Sequence, residues 1–180
     1  GDAYFGRLGD ADNHLLIAGS GGGGPDGGAG GGIVYITVPN TMFNIFGTIS
    51  ADGMSGSNYS GNLYSGGGAG GTVLIDGDII YGSGHVSATG GDSAENCTLV
   101  NCGGGGSGGQ VLLDTNDTYF VTYDTPDNIG TTSTIGGIGK DDKYGATGYT
   151  YFASGTHDQH LVIDSMNIVL TKRSVIPPSR

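Results

Sequence analysis

Four short apolar runs divide the chain at nearly equal intervals. Ile33-Val34-Tyr35-Ile36, Thr72-Val73-Leu74-Ile75 and Gln110-Val111-Leu112-Leu113 begin 39 and 38 residues apart, and a degenerate copy, Tyr149-Thr150-Tyr151-Phe152, begins 39 residues after the third. A small-residue run precedes each: Gly27 to Gly32, Gly66 to Gly71, Gly103 to Gly109, and Gly145-Ala146-Thr147-Gly148. A second pattern accompanies the first. Gly47-Thr48-Ile49-Ser50-Ala51-Asp52-Gly53 matches Gly84-His85-Val86-Ser87-Ala88-Thr89-Gly90, 37 residues on. Its strict alternation sets Ile49 and Ala51 on one side and Thr48 and Ser50 on the other, as in a half-buried strand. The first run is apolar without alternation, as in a strand buried on both faces. Each unit reads as strand, turn, strand, variable loop, glycine run. Val121-Thr122-Tyr123 is the expected third copy of the second strand, His14 to Ala18 an earlier copy and Leu161-Val162-Ile163-Asp164 the last.

A fixed period of this length signals stacked supersecondary units. Stacking pairs each strand with its counterpart in the next unit. It predicts parallel ladders through Val34, Val73, Val111 and Thr150 and through Ile36, Ile75, Leu113 and Phe152. The expected fold is all-β: an irregular parallel β-helix, or β-solenoid, of about four coils with glycine-rich sides. Glycine there supplies a side without side chains, where another backbone can approach. The alternative is a β-sandwich carrying glycine polyproline-II segments. Pairing direction separates the two, parallel for the solenoid and antiparallel for the sandwich. Residues 1–170 form one glycine-rich β-repeat domain, and 171–180 a basic, proline-containing tail.

Composition narrows the function. Gly accounts for 40 of 180 residues, about three times ordinary usage. Helix is disfavoured, since each helical Gly costs about 1 kcal/mol. The net charge is −11, and of 17 acidic residues only Glu95 is not Asp. Asp favours turns and strand ends, where its carboxylate bonds nearby backbone. The balance argues against nucleic acid, which needs a basic footprint. No cofactor is expected, and Ca²⁺ is the metal that the acidity permits. No run approaches the roughly 18 apolar residues of a membrane span. A start at Gly1 without Met points to processing or truncation.

Candidate sites are few. The sequons at Asn58, Asn96 and Asn116 mark acceptors for N-linked glycans in a secreted protein. Asn58 follows Ala51 by seven residues and Asn96 follows Ala88 by eight, so both fall in the same loop of successive units. Cys97 and Cys102 sit close together in a polar loop, where a local disulfide is expected in an oxidising compartment and a free thiol pair is the alternative. Gly136 to Asp141 matches the start of a calcium-binding nonapeptide repeat, but Lys143 breaks it. Asp76-Gly77-Asp78 could ligate a hard cation and reads more simply as a hairpin-like turn. His157 and His160 fall in a turn entering a strand, and His85 takes an outward, solvated position. The many G-x-G-x-x-G matches precede no helix and give no phosphate cradle. No nucleophile motif is present. Lys172, Arg173 and Arg180 supply three of the six basic residues. With Val175 and Ile176, Lys172 and Arg173 make the tail a candidate assembly arm.

The motifs also carry a resemblance. Gly66 to Gly71, Gly47 to Gly53, Gly145 to Phe152 and Leu161 to Asp164 resemble, in that order, the GGGGAGG, GTISA-x-GG and closing segments of large secreted glycine-rich surface proteins, over roughly residues 14 to 167. The resemblance implies an extracellular, repetitive, β-helix-like scaffold with no catalytic residues to carry over. Leu15 to Gly24 is similar to the glycine-rich ectodomain of anaplastic lymphoma kinase-type receptors, which implies bundled polyproline-II helices beside a β-sandwich. The expected function is structural and non-enzymatic: a self-associating subunit of an extracellular filament, sheath or cell-surface appendage. A surface binding module of adhesin or ice-binding type is the alternative, and a carbohydrate-active β-helix enzyme the third.

Overall fold

The structure is a computed structural model, and it describes residues 8–9, 15–59, 63–94, 102–118, 130–139, 144–154 and 157–162. These residues are strands and irregular segments, with no helix among them. In chain order the strands are β1 (Leu8–Gly9), β2 (Leu15–Leu16), β3 (Ile33–Asn44), β4 (Thr48–Ser50), β5 (Asn58–Tyr59), β6 (Leu63–Tyr64), β7 (Thr72–Tyr81), β8 (His85–Ser87), β9 (Gln110–Thr118), β10 (Thr131–Ser133), β11 (Tyr149–Ser154) and β12 (His157–Val162). The long strands form one sheet in the order β12-β11-β9-β7-β3, and the short ones a second in the order β10-β8-β4. All pairs in both are parallel except β11 with β12.

The register follows the repeat. Val34 pairs with Val73, Val73 with Val111 and Val111 with Thr150; Ile36, Ile75, Leu113 and Phe152 form the second ladder. Thr48, Ile49 and Ser50 pair with His85, Val86 and Ser87. Burial on both faces accounts for the non-alternating runs of β7 and β9 but not for that of β3, an outer strand on which Tyr35 is exposed. Val73, Ile75, Val111 and Leu113 join Ile45, Ile80, Val86, Ala88 and Phe152 in a core between the two sheets. Leu74 and Leu112 face the other way and pack with Leu16.

Between the strands the chain runs in small-residue segments that bond to one another through backbone alone. Segment 65–71 shows the rule. Gly66 and Ala69 donate to the carbonyls of Gly23 and Ser20 (2.8 Å each), Gly67 and Gly70 to Gly104 and Ser107 (3.0 and 2.8 Å), and Gly68 and Gly71 to Met54 and Ala51 (2.9 and 2.8 Å). Successive residues thus address three different neighbours, and each neighbour is addressed every third residue. Three residues per turn is the period of polyproline II, which has no internal hydrogen bonds and must satisfy its backbone outside itself. Neighbouring segments approach too closely for side chains: a Cβ on Gly106 would collide with the Gly68 carbonyl, and one on Gly70 with that of Ala88. Each outward leg is a glycine segment continuing into a long strand. Each return leg is a short strand continuing into a second small-residue segment. At the glycine end the two layers touch backbone to backbone, and at the strand end an apolar core separates them.

Several expectations are corrected. Thr131–Ser133, not Val121-Thr122-Tyr123, pairs with β8 as the third short strand. The offset between equivalent residues lengthens there, from 37 between Ser55 and Asp92 to 46 between Asp92 and Ile138. Val121 to Tyr123 lie outside the described residues. Leu161 and Val162 belong to β12, which caps β11 antiparallel, so they are not a copy of the short strand. Leu15 and Leu16 pair antiparallel with Leu8 and Gly9, and the following residues 17–24 join the glycine network. Asp76-Gly77-Asp78 is no turn; it lies inside β7, whose pairing with β3 shifts register between Val38 and Met42, beside the positive φ of Asn40. The turn between β7 and β8 uses Gly82, at φ +129°. His157 and His160 lie within β12.

The packing predicts unequal tolerance to one added methyl group. Gly106→Ala should lose about 3 kcal/mol, because rigid backbone faces the new Cβ. Gly47→Ala, with nothing within 4 Å of its Cβ, should stay within about 0.5 kcal/mol of the parent. Denaturant midpoints measure both, and equal losses would contradict the backbone-contact account.

Candidate functional site

The return legs are joined by side chains that reach from one unit to the backbone of the next. Asp52 follows β4, and its Oδ1 accepts the Thr89 N–H at 2.6 Å. Its Oδ2 accepts the hydroxyls of Ser50 (2.6 Å) and Ser87 (2.9 Å). Three residues on, Ser55 Oγ accepts the Asp92 N–H at 3.1 Å, and Asp92 Oδ1 in turn accepts the Ile138 N–H at 2.7 Å. By the β4–β8–β10 register these pairs are equivalent positions in successive units. In the glycine regime such amides lack a ladder partner, and the Asp and Ser side chains supply one.

Partial burial opposes ionisation of Asp52, but the hydrogen bonds from Ser50, Thr89 and Ser87 outweigh it and hold its carboxyl below the ordinary range. On the outward legs Asp76 and Asp114 are opposite each other in the β7–β9 register. Burial first, and the Asp114 carboxylate second, raise the Tyr151 phenol. No group of three or more His, Cys, Asp or Glu able to hold a metal occurs among the described residues.

The ends of the stack differ from its middle. Among the described residues the exposed large apolar side chains are Tyr35 (48%), Met42 (53%), Phe46 (66%) and Met54 (65%) in the first unit, and Ile138 and Tyr144 in the last. The middle unit, β7 to β8, has none. Among the described residues β3 and β4 are the outermost strands at the first end. Phe46 stands edge-on to Tyr81, with ring centres 6.0 Å apart.

The sites read from the sequence are scattered over this frame. Asn58 is exposed in the β5–β6 hairpin, where it pairs with Tyr64. Asn116 lies in β9; Asn96 lies outside the described residues. Cys102 is disulfide-bonded at the entrance to segment 103–109, and Cys97 lies outside the described residues. So do Lys172, Arg173, Val175 and Ile176. His85 Nδ1 lies 2.7 Å from Thr131 Oγ1 of the next unit in an exposed contact. Sequence reasoning missed the role of Asp52; the signal was an acid placed directly after the alternating Ser50-Ala51 pair. Comparison with family models, with characterised proteins and with solved structures brings no match.

Asp52 predicts an acid-labile joint. Its folded pKa lies below its unfolded one, so its contribution is complete above the unfolded value near about 3.9 and disappears as pH falls through the folded one. Asp52→Asn should therefore be less stable than the parent at pH 6, with the gap closing by pH 2. Urea midpoints at both pH values read this; a gap independent of pH would remove the charge from the explanation.

Proposed function

We propose that this chain is a structural, non-catalytic subunit of an extracellular filament, sheath or cell-surface appendage, folded as an irregular parallel β-solenoid of about four coils. The main support is where apolar surface remains. A parallel stack ends in strand edges with open N–H and C=O groups, which invite pairing unless capped. Among the described residues the exposed large apolar side chains concentrate in the first and last units. Contact between two unlike ends is heterologous, and such contacts propagate into open filaments when the rotation does not close. The resemblance to secreted glycine-rich surface proteins points the same way, as do the sequons and paired cysteines of an extracellular chain.

The test is assembly. Purified protein should form filaments visible by electron microscopy. Tyr35→Lys with Met42→Lys places charge on the β3 edge, where it opposes pairing; this variant should keep the parent's thermal midpoint and remain as particles. A parent that stays monomeric at high concentration, or a double variant that still forms filaments, defeats end-to-end assembly through β3. Deleting 171–180 separately asks whether the basic tail adds to it.

N-linked glycans are expected at the exposed Asn58 when the chain is expressed in a secreting eukaryotic cell. Intact mass before and after glycosidase treatment, compared with Asn58→Gln, reads occupancy directly. An unchanged mass would remove the glycans from the proposal.

A further inference from the structure

One place in the glycine network is built and, among the described residues, unfilled. Segment 17–24 lies between segments 27–32 and 65–71, antiparallel to both. Gly19 and Gly22 donate to the carbonyls of Gly31 and Gly28 on one side (2.8 Å each), and Ser20 and Gly23 accept from Ala69 and Gly66 on the other (2.8 Å each). The strand register carries this arrangement one unit along. Thr72 pairs with Ile33 and with Gln110, so Gly67 and Gly70 correspond to Gly28 and Gly31, and Gly104 and Ser107 to Gly66 and Ala69. These four residues are positioned to offer the same two acceptors and two donors. The carbonyls of Gly67 and Gly70 and the amides of Gly104 and Ser107 take part in none of the backbone hydrogen bonds among the described residues. A groove of about 660 Å³ is lined by Gly67, Gly104 and Ser107 and walled by residues 20–24 on its near side.

A second observation agrees. Thr72 fastens segment 17–24 at its start: its hydroxyl donates to the Ile17 carbonyl (2.8 Å) and accepts the Ile17 N–H (3.1 Å). The register counterpart of Thr72 is Gln110, whose Oε1 is buried without a partner. Unpaired buried polar groups are rare and costly in native structures.

We propose that this groove binds an extended Gly-Xaa-Xaa segment of a partner protein in the polyproline-II conformation, antiparallel to segments 65–71 and 103–109. The occupied slot defines the occupant. A Cβ on Gly19 or Gly22 would collide with the carbonyl of Ala69 or Gly66, whereas one on Gly23 meets nothing within 4 Å and one on Gly21 meets the Gly28 carbonyl at 3.6 Å. Within residues 19–23 glycine is therefore required at every third residue, Gly19 and Gly22, and not between them. The required residues donate to one wall, and the residues after them accept from the other. The two Xaa positions need no N–H, so proline fits there and pre-sets the conformation. This inference is independent of filament assembly, because the groove lies on the flank of the stack and not at its ends.

The probe is the peptide acetyl-(Gly-Pro-Ser)₃-amide, titrated into the ¹⁵N-labelled full chain. The Gly104 and Ser107 amide resonances should shift in a saturable way and gain protection from hydrogen exchange. The Val-Pro-Ser analogue, lacking the obligatory glycines, should produce neither effect. Gly104→Val should weaken binding by at least about tenfold at an unchanged thermal midpoint. The Cβ of Gly104 has nothing within 4 Å, while that of its counterpart Gly66 would stand 3.5 Å from Gly23 of the occupying segment. Three results overturn the inference: no shifts at millimolar peptide, equal shifts with the valine analogue, or Gly104 and Ser107 amides already protected in the dilute chain alone. The two-peptide comparison holds even if the Gly104 variant fails to fold.

Discussion

The structure depends on backbone groups being satisfied by other backbone at distances that exclude side chains. A polyproline-II segment makes no hydrogen bonds within itself, so each N–H and C=O must find a neighbour. Segment 65–71 finds neighbours in three directions in turn, through Ser20 and Gly23, through Gly104 and Ser107, and through Ala51 and Met54. At its closest positions, such as Gly70 and Gly106, even a Cβ would collide with a neighbouring carbonyl. Where the chain leaves the glycine run, the period changes from three to two, and the same legs continue as a side-chain-bearing sheet. The junction between the two regimes sets the shape: the layers are in direct contact at one end and separated by a core at the other.

The glycine network cannot hold itself together. Ordering a residue costs roughly 1–2 kcal/mol of backbone entropy, and glycine lies at the expensive end. A net gain of about 0.5–1.5 kcal/mol per hydrogen bond does not offset this with a margin. The surplus has to come from the apolar ends of the legs. Val73, Ile75, Val111 and Leu113 are fully buried on one face of the long sheet, and Leu74 and Leu112 on the other. Burying such side chains is worth about 1.5–3 kcal/mol each. The sandwich end thus fixes the register, and the glycine end inherits it.

The register was legible because it is written in side chains. The apolar runs at Ile33, Thr72, Gln110 and Tyr149 became adjacent ladder rungs, as their spacing implied. The third short strand was not legible. Thr131-Thr132-Ser133 replaces the apolar centre of Ile49 and Val86 with Thr132, and a longer loop displaces it, so neither pattern nor spacing marked it. The terminal strands were misread for a related reason. Leu15 and Leu161 carry apolar signals that do not specify parallel or antiparallel pairing, and both belong to antiparallel caps. The three-direction network was invisible, because glycine has no side chain with which to record a period. The general preference of Asp for turns gives no hint of Asp52, whose carboxylate reaches an amide 37 residues away, a partner that only the stacked register brings within range.

The two unsatisfied surfaces of this molecule differ in kind. At the first end, Tyr35, Met42, Phe46 and Met54 expose apolar area beside β3 and β4, the outermost strands among the described residues, a combination whose attraction is strong and weakly selective. On the flank, the carbonyls of Gly67 and Gly70 and the amides of Gly104 and Ser107 have no backbone partner among the described residues, and their array at fixed three-residue spacing is weakly attractive in water but strict about geometry. Hydrogen bonds exchanged with solvent yield little net energy, yet a Cβ at the wrong position collides with a carbonyl. Affinity and selectivity therefore belong to separate surfaces. On the two proposals, association through the ends would supply the affinity, and a flank restricted to glycine at every third residue the selectivity.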